Sequence, residues 1–332
     1  MPKLTTGLAA GLGTAAVIAV AALGTSFAAT ATPGARTPTA AKPNLGAQEL
    51  GDPEYGVCRG TDPRCYHDWG NFESSRRQSA YKVLLYTRTA GPRHADLGPA
   101  LAPGLDPTLT DANVVQNAVI ALGQKNGFTV DWTEDVAQLA SPSQLFKYNA
   151  VIFFSTSRDA LDPAAQTSLR QYLRGGGGFV GVHNAFGTGY NWPWYEGLLG
   201  GANYYDHGPA QTGTVRTLDR KDTSTKDLPA AWTFTDEWYN LVPFPSQVRF
   251  LATVDERSLP AGAAGSMGHP GHGDFHPVAW CQYYDGGRSW VTTLGHDARD
   301  FTDNTTFPGA QEFQKLLTGG IQSAMGAKPF CR

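Results

Sequence analysis

The segment Gly181-Val182-His183-Asn184-Ala185 follows a run of four glycines, Gly175 to Gly178, and closes a short β-rich stretch on an imidazole. A strand that breaks sharply at one polar residue displays that residue at the sheet tip, where hydrolases place serine or cysteine. An imidazole there titrates near neutral pH and can take or give a proton, which makes His183 the candidate general base. His296 repeats the setting, since it follows the run Trp290 to Leu294 and one glycine. Glu237, between Asp236 and the pair Trp238 and Tyr239, is the candidate acid, because aromatic walls desolvate a carboxylate and raise its pKa. Retaining or inverting hydrolysis calls for two suitably spaced carboxylates, and only Glu237 stands out. Elimination needs one base, one acid and a stabiliser of enolate-like charge, and fits this inventory better.

Other side chains complete the candidate site. Arg93 and His94, in the loop after Tyr81 to Arg88, are assigned to positioning substrate, with Asn184 beside the base. His207 precedes Pro209 by two residues and His276 adjoins Pro277, both in loops, and they are counted with them. Trp192, Trp194, Tyr195, Trp238 and Tyr239 fall in polar, loop-like segments, and their flat apolar faces with polar edges suit stacking on sugar rings. His272 and His276 have the spacing of a helical metal pair, but Gly268 to Pro277 is too rich in Gly and Pro for a helix. A zinc site drawn from His183, His207, His296 and a carboxylate has no local spacing behind it. No metal ligand and no cofactor is therefore assigned. The glycine run precedes its strand, whereas a phosphate-cradling turn follows one.

The elements that must position these groups alternate. Tyr81 to Arg88, Phe128 to Trp132, Ala150 to Phe154 and Gly178 to His183 read as strands. Between them, Val114 to Leu122 carries helical spacing, capped by Asp111 and stopped by Gly127, and Asp162 to Arg174 reads as a helix with Pro163 in its first turn. Strands alternating with helices imply parallel pairing, so the predicted fold is α/β: a doubly wound, mostly parallel sheet with helices on both faces. Ligands of such sheets bind beyond the carboxyl ends of the strands, where His94, His183 and His296 fall. Gly213 to Thr217, Val248 to Val254, Val278 to Tyr284 and Ser289 to Leu294 are further β-like runs, before a closing helix from Phe307 to Met325.

Composition narrows the partner. The chain has 332 residues, 26 basic against 29 acidic, and no Lys/Arg block, which argues against nucleic acid. Residues 1–28 read as a secretory signal: Lys3, an apolar Ala/Gly-rich run from Leu8 to Leu23, and the small-x-small site Ser26-Phe27-Ala28. The run is shorter than the ~20 residues a span needs, so no membrane association is expected after cleavage. Residues 29–48 are an Ala/Thr/Pro linker, 49–74 a cysteine-bearing extension, 75–326 one α/β domain and 327–332 a tail. Export favours disulfides. Of three connectivities, a local Cys58–Cys65 bridge is preferred, leaving Cys281 to pair with Cys331.

Several stretches resemble a known family: Val83 to His94, Val130 to Asp135, Gly176 to Ala185, Trp192 to Tyr195, Asp236 to Asn240, His276 to Cys281 and Leu294 to His296. Together they are similar to the trehalose-utilisation (ThuA-like) proteins. The resemblance implies a class I glutamine-amidotransferase-like, flavodoxin-like fold in which His183 stands where amidotransferases carry cysteine. Glutamine hydrolysis is therefore not implied. It also implies a link to sugar metabolism, including disaccharides oxidised to 3-keto sugars. The resulting expectation is a secreted, extracellular enzyme cleaving a glycosidic bond by histidine-led acid/base chemistry, as a polysaccharide lyase or glycoside hydrolase, with a carbohydrate as partner. A secreted carbohydrate-binding protein without activity, or a keto-sugar-processing hydrolase or isomerase, is the alternative.

Overall fold

The computed structural model describes residues 51–52, 55–68 and 80–332, so the signal, the linker and part of the extension lie outside the described residues. In chain order the elements are β1 (Gly51–Asp52), β2 (Val57–Gly60), β3 (Tyr81–Tyr86), α1 (Val114–Asn126), β4 (Phe128–Thr133), α2 (Pro142–Leu145), β5 (Ala150–Phe154), α3 (Pro163–Arg174) and β6 (Gly178–Val182). They continue with α4 (Pro193–Leu198), β7 (Tyr204–His207), β8 (Gln211–Thr217), β9 (Ala231–Asp236), β10 (Tyr239–Leu241), β11 (Arg249–Asp255), β12 (His276–Tyr284), β13 (Gly287–Thr292) and α5 (Ala310–Ala324).

Eleven described strands form one sheet in the order β4-β3-β5-β6-β13-β12-β11-β8-β9, with β2 on β12 and β1 on β2. From β4 to β13 every pairing is parallel. From β13 onward every pairing is antiparallel. β7 and β10 form a separate antiparallel pair. The expected α/β fold is thus present, with an antiparallel extension that the pattern of short runs did not specify.

Burial explains the parallel half. All five residues of β5 and all five of β6 are buried, as continuous apolar runs in a covered parallel sheet should be. Their side chains alternate between faces: Ala150, Ile152 and Phe154 join one core, Val151 and Phe153 the other. Val115 and Val119 of α1 and Phe313, Leu316 and Leu317 of α5 cover the first face. Leu169 and Tyr172 of α3 and Trp194 and Leu198 of α4 cover the second.

Helix ends follow local chemistry, with one correction. Asp162 caps α3 by accepting from Ala165 N at 2.8 Å. Gly127 ends α1 at φ 78°. The residue before α1 is Asn113, not Asp111, and its carboxamide holds loops: Oδ1 accepts from Thr110, and Nδ2 donates to the carbonyls of Leu97 (2.8 Å) and Pro99 (3.0 Å). Disulfides join Cys58 to Cys65 and Cys281 to Cys331, as preferred. No described helix is long and apolar enough to cross a membrane.

Candidate functional site

The carboxyl tips of β3, β6 and β13 share one rim, and each delivers a histidine. His183 follows Val182 directly, at φ 52°, and opens a 3-10 turn, His183–Gly187. A non-glycine residue held in this left-handed region is strained, and such strain collects at functional sites. Its ring is fully buried, and Nδ1–H donates to Thr293 O at 2.9 Å, which leaves the lone pair on Nε2 facing the rim. His296 lies three residues beyond that carbonyl. His94 arrives on the loop after β3. Arg93 staples this loop, donating to the carbonyls of Leu97 (3.2 Å), Gly98 (2.7 Å) and Pro99 (2.9 Å) and pairing with Glu134 at 2.8 Å.

Glu237 comes from the end of β9, five strands from β6 in the sheet order. In a flat sheet that separation is about 24 Å at ~4.8 Å per strand. Yet Glu237 Oε2 is 3.8 Å from His183 Nε2 and 3.2 Å from His296 Nδ1, so the sheet curls its last strand back to the rim. The buried carboxyl of Asp236 ties the two tips, accepting from Glu237 N at 2.7 Å and Gly295 N at 2.8 Å.

Four donor atoms therefore converge, all within 4.8 Å of one another: one each from His94, His183, His296 and Glu237. His94 Nε2 is 3.1 Å and His296 Nδ1 3.3 Å from His183 Nε2. Tetrahedral bonds of about 2.0–2.1 Å, the usual zinc–imidazole length, put neighbouring ligand atoms about 3.3 Å apart. Two further polar groups border the cluster. The Tyr239 hydroxyl is 2.8 Å from His183 Nε2, and His207 Nε2 is 3.5 Å from Glu237 Oε2.

Electrostatics sort the donors. Burial, reinforced by neighbouring imidazoles, holds His183 well below the ordinary histidine value and lowers His94 to about 4. Both stay neutral, the form that ligates a metal. For His296 burial acts downward, but the hydrogen bond and charge of Glu237 prevail and raise it. Glu237 behaves opposite to the sequence expectation. Burial pushes it up, but the hydrogen bond and charge of His296 prevail, and it remains a carboxylate.

The other assigned residues divide. Tyr239 and His207 reach the site, and His94 does so as a member of the donor cluster. Arg93 does not face substrate, because its guanidinium is committed to the His94 loop. Trp194 is buried and donates to Asp285 at 2.8 Å, and Tyr195 is buried and donates to Ala185 O at 3.0 Å. Trp192, partly buried, stacks on Trp194 at 4.9 Å. Trp238 is buried and donates to Gln211 O. These four rings are core or packed on it, not a sugar platform. His276 is buried behind the rim, between Glu256 (2.7 Å) and Tyr239 O (3.0 Å). Asn184 is buried with its carboxamide against Gly187 of its own turn. The sequence reading also passed over Asp236 as a tie between tips and His94 as a donor. Only the Asp-Glu pair and the position of His94 after a strand signalled them.

An α/β sheet with a histidine-rich rim at its parallel strand tips is the class this fold and site define. The ThuA family, described as trehalose utilisation, matches residues 82–324, and the chain belongs to that family. Among solved structures it is similar to a ThuA-like protein from Bacteroides uniformis, at 24% identity and TM-score 0.56 over 73% of this chain and 90% of that one. A ThuA-like protein from Parabacteroides merdae follows at 19% and 0.54, over 75% and 91%. No curated protein matches.

Proposed function

We propose that this chain is a secreted metalloenzyme that cleaves a glycosidic bond, with His94, His183, His296 and Glu237 holding a divalent cation of the zinc type. The convergence of those four donor atoms within 4.8 Å carries the reading. Two neutral imidazoles, a third that gives up its proton on binding and one carboxylate are a donor set suited to zinc, and three of the donor spacings, 3.1–3.3 Å, match tetrahedral edges. This revises the sequence reading, which gave these rims to free acid/base chemistry and no metal. A cation held by Nε2 would occupy the lone pair that a general base needs, because Nδ1–H is fixed on Thr293 O.

When bound, such a cation acts as a Lewis acid toward a substrate oxygen. The chain's own residues do the rest. Thr293 O fixes the tautomer and ring plane of His183. Asp236 holds the His296 and Glu237 tips in register. His207, partly exposed beside Glu237, is placed to carry a proton between solvent and the rim, and the Tyr239 hydroxyl can donate to an oxygen taken there. Glycan cleavage by elimination or hydrolysis fits this arrangement, and the family's tie to trehalose utilisation supports a carbohydrate. The signal-like first 28 residues and the two disulfides support export.

The test is metal content by mass spectrometry of the purified chain, followed by assays of the zinc-loaded protein on plant and microbial glycans and on keto-disaccharides. Reducing ends and ultraviolet-absorbing unsaturated products are read together. One zinc per chain, lost in His183→Ala and His296→Ala, with product that a chelator abolishes, is the expected result. A chain that binds no divalent cation refutes the metal, and one that turns over nothing refutes the enzyme.

A further inference from the structure

Arg158 is a second strained residue on the same rim. Its φ is 57°, and the surrounding backbone enforces it: Arg158 N donates to Gly187 O at 2.8 Å, and its carbonyl accepts from Gly189 N at 3.0 Å and Ala160 N at 2.9 Å. These bonds fasten it to the turn that His183 begins. One residue earlier, Ser157 accepts from Ala90 N (3.0 Å) and Gly91 N (3.1 Å), on the loop that carries His94. Arg158 thus sits between the loops bearing two of the four donors. Gly91 clears its path, since a Cβ there would overlap Arg158 Cγ.

The side chain so aimed is exposed. Its guanidinium lies 5.4 Å from the centre of the Tyr190 ring, and among the described residues it forms no ion pair with a carboxylate. Arg93, Arg174, Arg216, Arg249 and Arg299, by contrast, are each paired. Aromatic rings also leave the donor cluster: Tyr239 touches His183, and the Tyr204 ring lies 4.6 Å from that of Tyr239. Burial pushes the Tyr204 hydroxyl up to about 12, and it feels Tyr190 and Glu237 and, in the opposite sense, Arg158. Tyr190, 37% exposed, is the ring beside Arg158. The sequence reading weighed neither residue.

We infer that the sugar bound at this rim is acidic, and that Arg158 binds its carboxylate while the ring lies along Tyr204 and Tyr190. A guanidinium without a carboxylate partner, stacked on an aromatic face, is the group that takes a carboxylate bidentately. A backbone fixed by hydrogen bonds at Arg158 spares the loop's share of the entropy lost on binding. The inference rests on the reading that this rim binds carbohydrate, and it narrows the substrate class to uronate-bearing glycans or glycosides.

The probes are the methyl glycosides of glucuronate and galacturonate, each against its neutral methyl ester, with binding measured by calorimetry with and without added zinc. At least one acid is expected to bind about tenfold or more tightly than its ester. Arg158→Asn, which tolerates the left-handed backbone, removes that preference and leaves ester binding within about twofold. Arg158→Lys retains only part of it, because an ammonium lacks the fork. Equal binding of acid and ester in the unaltered chain, including none of either, overturns the inference, as does a preference that survives Arg158→Asn. Zinc content is read separately, so failure of the metal leaves this comparison intact.

Discussion

Asp236 is the group on which the candidate centre most depends without belonging to it. Replacing it with Ala removes a buried carboxyl that accepts from Glu237 N and Gly295 N, the two backbone groups that aim the Glu237 and His296 donors. Each buried N–H left without a partner costs about 1–3 kcal/mol, so the pair costs roughly 2–6 kcal/mol. Relief of the burial that pushes the Asp236 carboxyl up offsets part of this, and the net loss of stability falls toward the lower end. Zinc affinity should suffer more specifically, because losing a group that supports metal ligands typically costs about 10- to 100-fold. Asp236→Asn keeps the shape but turns an amide N–H toward one of the two backbone donors, and should lose most of the same affinity. Competition against a chromophoric chelator measures the affinity, and urea unfolding of the metal-free chain measures stability. A folded Asp236→Ala protein that binds zinc within about threefold of the unaltered chain would refute the reasoning.

Other expectations follow from the same geometry. Arg93→Ala should weaken zinc binding and lower the melting temperature, because three carbonyls and Glu134 lose the guanidinium that staples the His94 loop; a variant that binds zinc normally would return Arg93 to a substrate role. Opening the 50-residue Cys281–Cys331 loop with a double alanine variant should cost about 4 kcal/mol, against about 2 kcal/mol for the 7-residue Cys58–Cys65 loop, in chain-entropy terms, as urea midpoints would show. His272, held down to about 4 by burial and by the charges of His276 and His269, accepts from Leu241 N at 3.0 Å. Its folded value lies below the unfolded ~6.5, so its contribution is complete above pH 6.5 and declines as pH falls toward 4. Thermal melts between those limits should show His272→Gln losing less stability on acidification than the unaltered chain.

The elements legible in the sequence are those whose partners are local or whose burial is complete. β5 and β6 are unbroken apolar runs bounded by polar turns, and α3 carries its own cap, so each was read to within a residue. β7, β9 and β10 were missed for a physical reason. Tyr204–His207 is partly exposed and pairs only with a three-residue strand more than thirty residues away, which no local pattern encodes. β9 does alternate, with Trp232 and Phe234 inward, but its six residues end in Asp236, next to Glu237, and read as a polar break. The site divides similarly. A strand ending on His183 or His296 announces a displayed imidazole, whereas the direction of an aromatic ring in a polar segment is a tertiary fact. Trp194 and Trp238 looked like a platform because their neighbours are polar, but groups distant in sequence, Asp285 and the Gln211 carbonyl, satisfy their indole N–H groups inside the core.

The antiparallel extension then has a role that the parallel half cannot fill. The tips of β3, β6 and β13 supply three imidazoles to the donor cluster and no carboxylate, and burial keeps two of those rings neutral. A dication held by such rings alone would sit in a desolvated pocket without a compensating charge, which is costly. The carboxylate comes instead from the far edge of the sheet. β12, β11, β8 and β9 curl round until Glu237 meets His296 at 3.2 Å, and Phe234 of β9 stacks on Phe313 of α5 at 5.7 Å along the way. The Asp236 tie to Gly295 closes this circuit on the strand tip next to His183. The position of the Glu237 donor beside the three imidazoles thus depends on closure of the curled sheet and on the packing of β9 against α5.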